Sequence, residues 1–202
     1  MPESSGGAVS SLEEFFHGLA ARGVEPDLRE ALRSRARTAS ATVQRVGDHA
    51  TVVAVAARLV PGAVPAEVLA GFLDANFDRQ LGRGDERMGL LPRAELIPAG
   101  FRLLDEEAAK RHGSAFAALE EQQQDALLSD AEGGRLQGGH SGFDATEWFQ
   151  RVRDLLLLGY GSDPRGMVEM GFPGPSYETG HVWLDEFEVA RRAERAPGYE
   201  VL

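Results

Sequence analysis

Apolar residues recur at helical spacing along most of this 202-residue chain, and this pattern constrains the fold more than any other feature. Spacings of three and four residues place apolar side chains on one face of a helix, and prolines, glycines or capping residues separate the segments. Helices are expected, by residue number, at 12–22, 26–41, 48–59, 65–82, 98–113, 120–128, 144–158 and 183–196. Nowhere do two alternating segments flank a hairpin turn signal. The sequence therefore predicts an all-α fold, an irregular helical bundle with an extended Gly/Pro-rich C-terminal arm.

Changes in composition divide the chain into three parts. Residues 1–41 read as a leader and a short helical hairpin, 42–160 as a helical core, and 161–202 as an extended arm with a terminal helix. The strongest helix signal begins at Asp144, where Glu147 three residues later completes an Asp version of the capping box. Apolar residues cover so much of this helix that we expect burial on more than one side. After Gly159, prolines favour an irregular arm over a helix.

Composition excludes several kinds of chemistry. The chain has no cysteine, so it can form no disulfide, thiolate nucleophile, iron–sulfur site or c-type haem attachment. Its formal net charge of −11 repels nucleic-acid phosphates. The arginines between Arg29 and Arg45 lie beside acidic residues, and we interpret them as a solvated helix face. We therefore expect no nucleic-acid partner.

The sequence also bears on membranes and export. No window reaches the roughly 18 consecutive apolar residues of a membrane helix, so we expect no membrane span. The first residues lack a basic and then apolar signal pattern and lack an Arg-Arg pair. We therefore expect the chain as given to be cytoplasmic, with a periplasmic or membrane-associated complex as the alternative.

No motif specifies a catalytic, metal or cofactor site. The histidines, at positions 17, 49, 112, 140 and 181, are far apart and without metal-ligand spacing. The carboxylate pairs Glu106–Glu107 and Glu120–Glu121 are typical of solvated helix faces. Residues 133–139 are rich in glycine but follow no strand and match no phosphate-binding motif. We expect no catalytic residue, no metal and no cofactor in this chain.

One segment suggests an interaction surface. Between Phe143 and Tyr177, a helix rich in Trp, Phe and Leu leads into the Gly/Pro arm, which carries further aromatic residues. A proline-rich arm loses little conformational entropy on docking, and its aromatics can fill pockets of a partner. The alternative is that the helix is core and the arm packs on its own molecule.

Three motifs in this segment resemble the small third subunit of gluconate 2-dehydrogenase-type complexes: Phe143-Asp-Ala-Thr-Glu-Trp-Phe-Gln-Arg-Val-Arg-Asp-Leu, Gly159-Tyr-Gly-Ser-Asp-Pro and Gly171-Phe-Pro-Gly-Pro. Leu59-Val60-Pro61, Gly89-Leu90 and the segment 121–128 follow the family's order, so the resemblance covers residues 46–177. Many members begin with a twin-arginine signal, whereas this chain begins with the helical hairpin.

The resemblance implies a non-catalytic accessory subunit that binds and stabilises a large FAD-dependent dehydrogenase of the glucose–methanol–choline type. The FAD would belong to that partner, which oxidises a sugar or sugar acid, and a cytochrome c subunit is a further partner to consider. The residues expected to bind the partner are Trp148, Phe149, Tyr160, Asp163, Pro164, Phe172, Pro173, Gly174 and Tyr177. Two alternatives remain open: a stand-alone carboxylate-dependent sugar-modifying enzyme, and a helical regulatory or nucleic-acid-binding module that uses the Arg-rich hairpin.

Overall fold

A computed structural model of the chain describes residues 11–37, 43, 45–78, 91–136 and 141–172. Within these ranges the chain forms helices and no strand, so the predicted all-α fold is confirmed. The elements are α1 (Leu12–Ala21), α2 (Pro26–Arg37), α3 (His49–Leu59), α4 (Ala66–Asn76), α5 (Arg93–His112), a 3-10 turn (Phe116–Ala118), α6 (Glu121–Glu132), α7 (Ala145–Ser162) and α8 (Pro164–Glu169).

Short polar side chains begin several of these helices. The side chains of Ser11, Asp48 and Asp144 each accept a hydrogen bond from the backbone N–H three residues later, at 3.2, 3.2 and 3.0 Å. Each of these bonds satisfies one of the amide groups that have no partner at a helix start. At the other end of α5, Gly113 adopts a left-handed conformation with φ 76°. The starts of α1, α3 and α7 agree with the prediction because capping is a local interaction.

Helix α5 begins earlier than predicted. Its first residue is Arg93, and Pro98, the expected start, lies inside the helix. A proline inside a helix removes one backbone hydrogen bond. The extra turn, however, places Leu96 and Ile97 in the hydrophobic core, where both are buried. We attribute the longer helix to this burial, which offsets the lost bond.

The chain also stays helical beyond Gly159, where we expected an irregular arm. Helix α7 continues to Ser162, and Pro164 then opens α8. The expectation of an extended arm from residue 161 is therefore wrong for 161–162 and 164–169. The missed signal is the pair Asp163-Pro164, because Asp is a favoured N-cap residue and Pro is favoured in the first helical turn. Residues 173–202, which include the expected terminal helix at 183–196, lie outside the described residues.

Helix α7 is the centre of the bundle and packs against α3, α4, α5, α6 and α8. Trp148 on α7 is almost completely buried, and its ring meets Phe101 of α5 edge-on with centroids 5.3 Å apart. The indole N–H donates to the carbonyl of Ile97 at 3.1 Å. The main core therefore draws on helices α3 to α7 and surrounds α7.

The N-terminal hairpin has a small core of its own. Phe15, Leu19, Val24 and Leu32 are buried together, and Met167 and Val168 of α8 pack against them. This cluster is separate from the main core. The hairpin therefore packs on one side of α8, and its buried residues are not part of the main core.

Candidate partner-binding surface

The corner between α7 and α8 is held by Asp163. Its buried carboxylate accepts the backbone N–H of Arg165 at 2.9 Å and binds the Arg165 guanidinium at 2.8 and 2.7 Å. These hydrogen bonds raise the pKa of Arg165. Pro164 is buried at the start of α8. Asp163 and Pro164, which the sequence predicts to bind a partner, therefore fix the direction of α8 within this chain.

Tyr160 connects α8 to the loop before α4. Its hydroxyl donates to the carboxylate of Glu169, and the backbone N–H of Ala63 donates to the same oxygen at 2.6 Å. The Tyr160 bond, followed by the Ala63 bond, lowers the pKa of Glu169, whereas burial and then the Glu169 bond raise the pKa of Tyr160. A Cβ at Gly166 would lie 2.2 Å from the Tyr160 carbonyl oxygen, so only glycine allows α8 to approach this closely.

The structure places most of the predicted partner-binding residues in the interior. Trp148, Phe149, Tyr160, Asp163 and Pro164 are all buried, so none of them is presented at the surface of this chain. They support the surface from beneath. Their contact with a partner stays a prediction that nothing here tests.

Phe172 is the predicted residue that the structure places at the surface. Its backbone N–H donates to the carbonyl of Met167 at 2.8 Å, and Gly171, at φ 67°, donates to Val168 at 2.9 Å. This pair of bonds is a Schellman motif, which ends α8. Pro173, Gly174 and Tyr177 lie outside the described residues.

Sequence analysis missed three other exposed apolar residues. Leu157 and Leu158 on α7 and Met170 after α8 are 50%, 45% and 57% exposed, and Phe172 is 43% exposed. The expected burial of α7 on more than one side is confirmed by its packing against five helices, and Leu157 and Leu158 lie on the stripe that stays exposed. A run of consecutive leucines does not indicate which of them face solvent. The sequence therefore does not predict that these apolar residues are exposed.

An apolar cleft of about 310 Å³ lies between α4 and α7. Val68, Phe72 and Ala75 line it from α4, and Gly159 lines it from α7. A Cβ at Gly159 would lie 2.9 Å from the ring of Phe72, which explains a glycine within the helix. The polar groups at the rim are engaged in the protein itself, and the Arg35 guanidinium donates to the Ser162 carbonyl at 3.3 Å.

One member of each carboxylate pair noted in the sequence forms an ion pair. Glu107 binds Lys110 at 3.0 Å and Arg111 at 2.9 Å, and both bonds lower its pKa. Glu121 lies 2.7 Å from Arg58. Across the described part of the chain, no three His, Asp or Glu side chains are grouped so that they could hold a metal ion.

None of the helices in the described ranges combines the length and the apolar character needed to cross a membrane.

No curated protein and no solved structure gave a match to this chain. The sequence profile of one family, gluconate 2-dehydrogenase subunit 3, matches residues 47–174, which is more than half of the chain. The match includes helices α3 to α7, the corner at Asp163 and the exposed apolar residues after α8. The chain therefore belongs to the gluconate 2-dehydrogenase subunit 3 family.

Proposed function

We propose that this chain is a non-catalytic accessory subunit that binds and stabilises a large FAD-dependent dehydrogenase. In this proposal the partner is of the glucose–methanol–choline type, holds the FAD and oxidises a sugar or sugar acid. Family membership carries the proposal, because the matched family is named as the third subunit of a dehydrogenase. The expected cytoplasmic location and a cytochrome c subunit in the complex stay predictions.

The side-chain arrangement supports binding over catalysis. The carboxylates at Glu107 and Glu121 have cationic partners, which is typical of a solvated helix surface. A catalytic carboxylate pair would need one member with a raised pKa to act as an acid, whereas the pKa of Glu107 is lowered. The stand-alone sugar-modifying enzyme therefore has no support from this geometry.

The Arg-rich hairpin also gives little support to nucleic-acid binding. Arg33 lies over the ring of Phe16 at 5.0 Å, and Arg35 donates to the Ser162 carbonyl. Two of its arginines are thus engaged within the protein. Together with the net charge of −11, these contacts favour the accessory-subunit proposal.

The stabilising role can be tested with an FAD-dependent dehydrogenase of the glucose–methanol–choline type from the same genome. We expect that dehydrogenase to give more FAD-loaded, active protein when co-expressed with this chain than when expressed alone. This chain alone should oxidise no sugar and show no flavin absorbance. Equal yield and activity of the dehydrogenase in the two expressions would contradict the proposal.

A second test concerns the predicted arm. If Phe172 and Tyr177 dock on the dehydrogenase, replacing both by alanine should weaken binding by about a hundredfold or more, since each buried aromatic contributes roughly 1.5 to 3 kcal/mol. Thermal unfolding of the isolated subunit should be unchanged. A lowered melting temperature with unchanged binding would show instead that the arm packs on its own molecule.

A further inference from the structure

The solvent-facing stripe of α7 changes character along its length. Its first half is polar, with Gln150 and Asp154 exposed, as is usual for the outer face of a surface helix. Its second half presents Leu157 and Leu158 and then Gly161, which has no side chain to cover them. Two half-exposed leucines in succession on one stripe form an apolar surface that the described part of the chain leaves exposed.

The end of α8 extends this apolar surface. The Met170 methyl group lies 3.8 Å from the position of a Cβ on Gly161, one helical turn beyond Leu157. The Schellman motif then fixes Phe172 two residues after Met170. We name Leu157, Leu158, Met170 and Phe172 the α7–α8 patch; the two leucines lie on α7, and Met170 and Phe172 lie in the turn that ends α8.

We propose that the α7–α8 patch is the face on which the dehydrogenase subunit docks, an inference that rests on the proposed function. Every member of the patch lies within residues 47–174, the part shared with the family, so a partner common to the family fits it best. The other large exposed apolar residue of the described chain, Leu28, lies outside that part.

The chain beyond the patch supports the same occupant. The family match continues from Phe172 through Pro173 and Gly174, so the matched range includes both the patch and the first residues of the predicted arm. Four side chains are far less than the roughly 800 Å² that each partner buries in a standard interface. The patch is therefore the apolar centre of a larger interface, and Gln150 and Asp154 lie on its polar rim.

The partner should present an uncharged apolar face to this centre. A charge introduced there would be buried without a counter-ion on docking, which strongly disfavours association. In the free subunit the same charge would stay in solvent, since Leu157 and Leu158 are half exposed. Charged substitutions therefore separate docking from folding.

The test uses the full chain and an FAD-dependent dehydrogenase of the glucose–methanol–choline type from the same genome that forms the proposed complex. Leu157→Asp combined with Leu158→Asp should weaken binding by about a hundredfold or more, measured by titration calorimetry. Leu28→Asp, the same substitution at an exposed leucine outside the family match, should bind like wild type. Met170→Gln combined with Phe172→Ser supplies a second variant outside α7, which should also weaken binding about tenfold or more.

Thermal unfolding of each variant shows whether its fold is retained. Wild-type affinity in the folded Leu157/Leu158 variant, or in the Met170/Phe172 variant should the first not fold, would overturn the docking face. The proposed function would then still stand. Failure of the wild-type chain to bind the dehydrogenase would overturn the docking face and the proposed function together.

Discussion

Gly100→Ala tests the packing between α5 and α7 directly. Helix propensity alone favours alanine over glycine inside a helix by about 1 kcal/mol. The structure predicts the opposite sign, because a Cβ on Gly100 would lie 2.2 Å from two ring atoms of Trp148. Trp148 is almost completely buried and is the largest fully buried side chain of the described residues. The indole must therefore shift within a packed core.

The magnitude follows from two costs. Overpacking of a core costs about 1 to 3 kcal/mol. A shifted indole would also lose its hydrogen bond to the Ile97 carbonyl, and an unsatisfied buried donor costs about 1 to 3 kcal/mol. After subtracting the gain of about 1 kcal/mol in helix propensity, we expect Gly100→Ala to lower the free energy of unfolding by about 1 to 5 kcal/mol.

Urea unfolding followed by circular dichroism measures this change. The matched control is Gly161→Ala on α7, where the nearest side-chain atom would lie at an ordinary 3.8 Å, so alanine should raise the free energy of unfolding by up to about 1 kcal/mol. Gly100→Ala combined with Trp148→Phe should cost less than the sum of the two single changes, because the smaller ring relieves the clash. A Gly100→Ala protein as stable as wild type would refute the packing argument.

Three further predictions follow from the structure. Trp148→Ala should lower the free energy of unfolding by about 3 to 5 kcal/mol in urea titrations, since it removes the largest buried side chain of α7, and a loss below about 1 kcal/mol would contradict its place in the core. Because the pKa of Glu169 is lowered in the folded protein, its carboxylate contributes stability above about pH 4.3, the ordinary pKa of glutamate, and this stability is lost as the pH falls through the lower folded pKa. Glu169→Gln should therefore flatten the fall in melting temperature between pH 5 and pH 3. An unchanged fall would contradict the hydrogen bond between Tyr160 and Glu169. Deleting residues 1–41 should leave one cooperative melting transition, because the hairpin core is separate from the main core, and a loss of cooperativity in calorimetry would show that the two cores depend on each other.

Interactions between residues close together in the chain could be predicted from the sequence. Asp48 and Asp144 begin their helices as predicted, because an N-cap depends on residues within one turn. The same local logic would have located α8 if Asp163-Pro164 had been treated as a cap followed by a first helical residue. The helical fold class thus follows from periodicity and capping alone.

Contacts between residues far apart in the chain could not be predicted from the sequence. Gly159 resembles a helix end in the sequence, yet Phe72, far away in the chain, lies over it and explains a glycine inside α7. Pro98 likewise resembles a helix start until Leu96 and Ile97 are seen in the core. The candidate site shows the same limit, because burial of Trp148 and exposure of Leu157 depend on which helices surround α7.

The central claim is tested most directly by co-expressing this chain with an FAD-dependent dehydrogenase of the glucose–methanol–choline type from the same genome, followed by size-exclusion chromatography with absorbance detection. We predict one peak that contains both chains in a fixed ratio, with flavin absorbance that is absent from this chain purified alone. Separate elution of the two chains, or a stoichiometric flavin on this chain by itself, would contradict the claim that it is a non-catalytic subunit of a flavoprotein dehydrogenase.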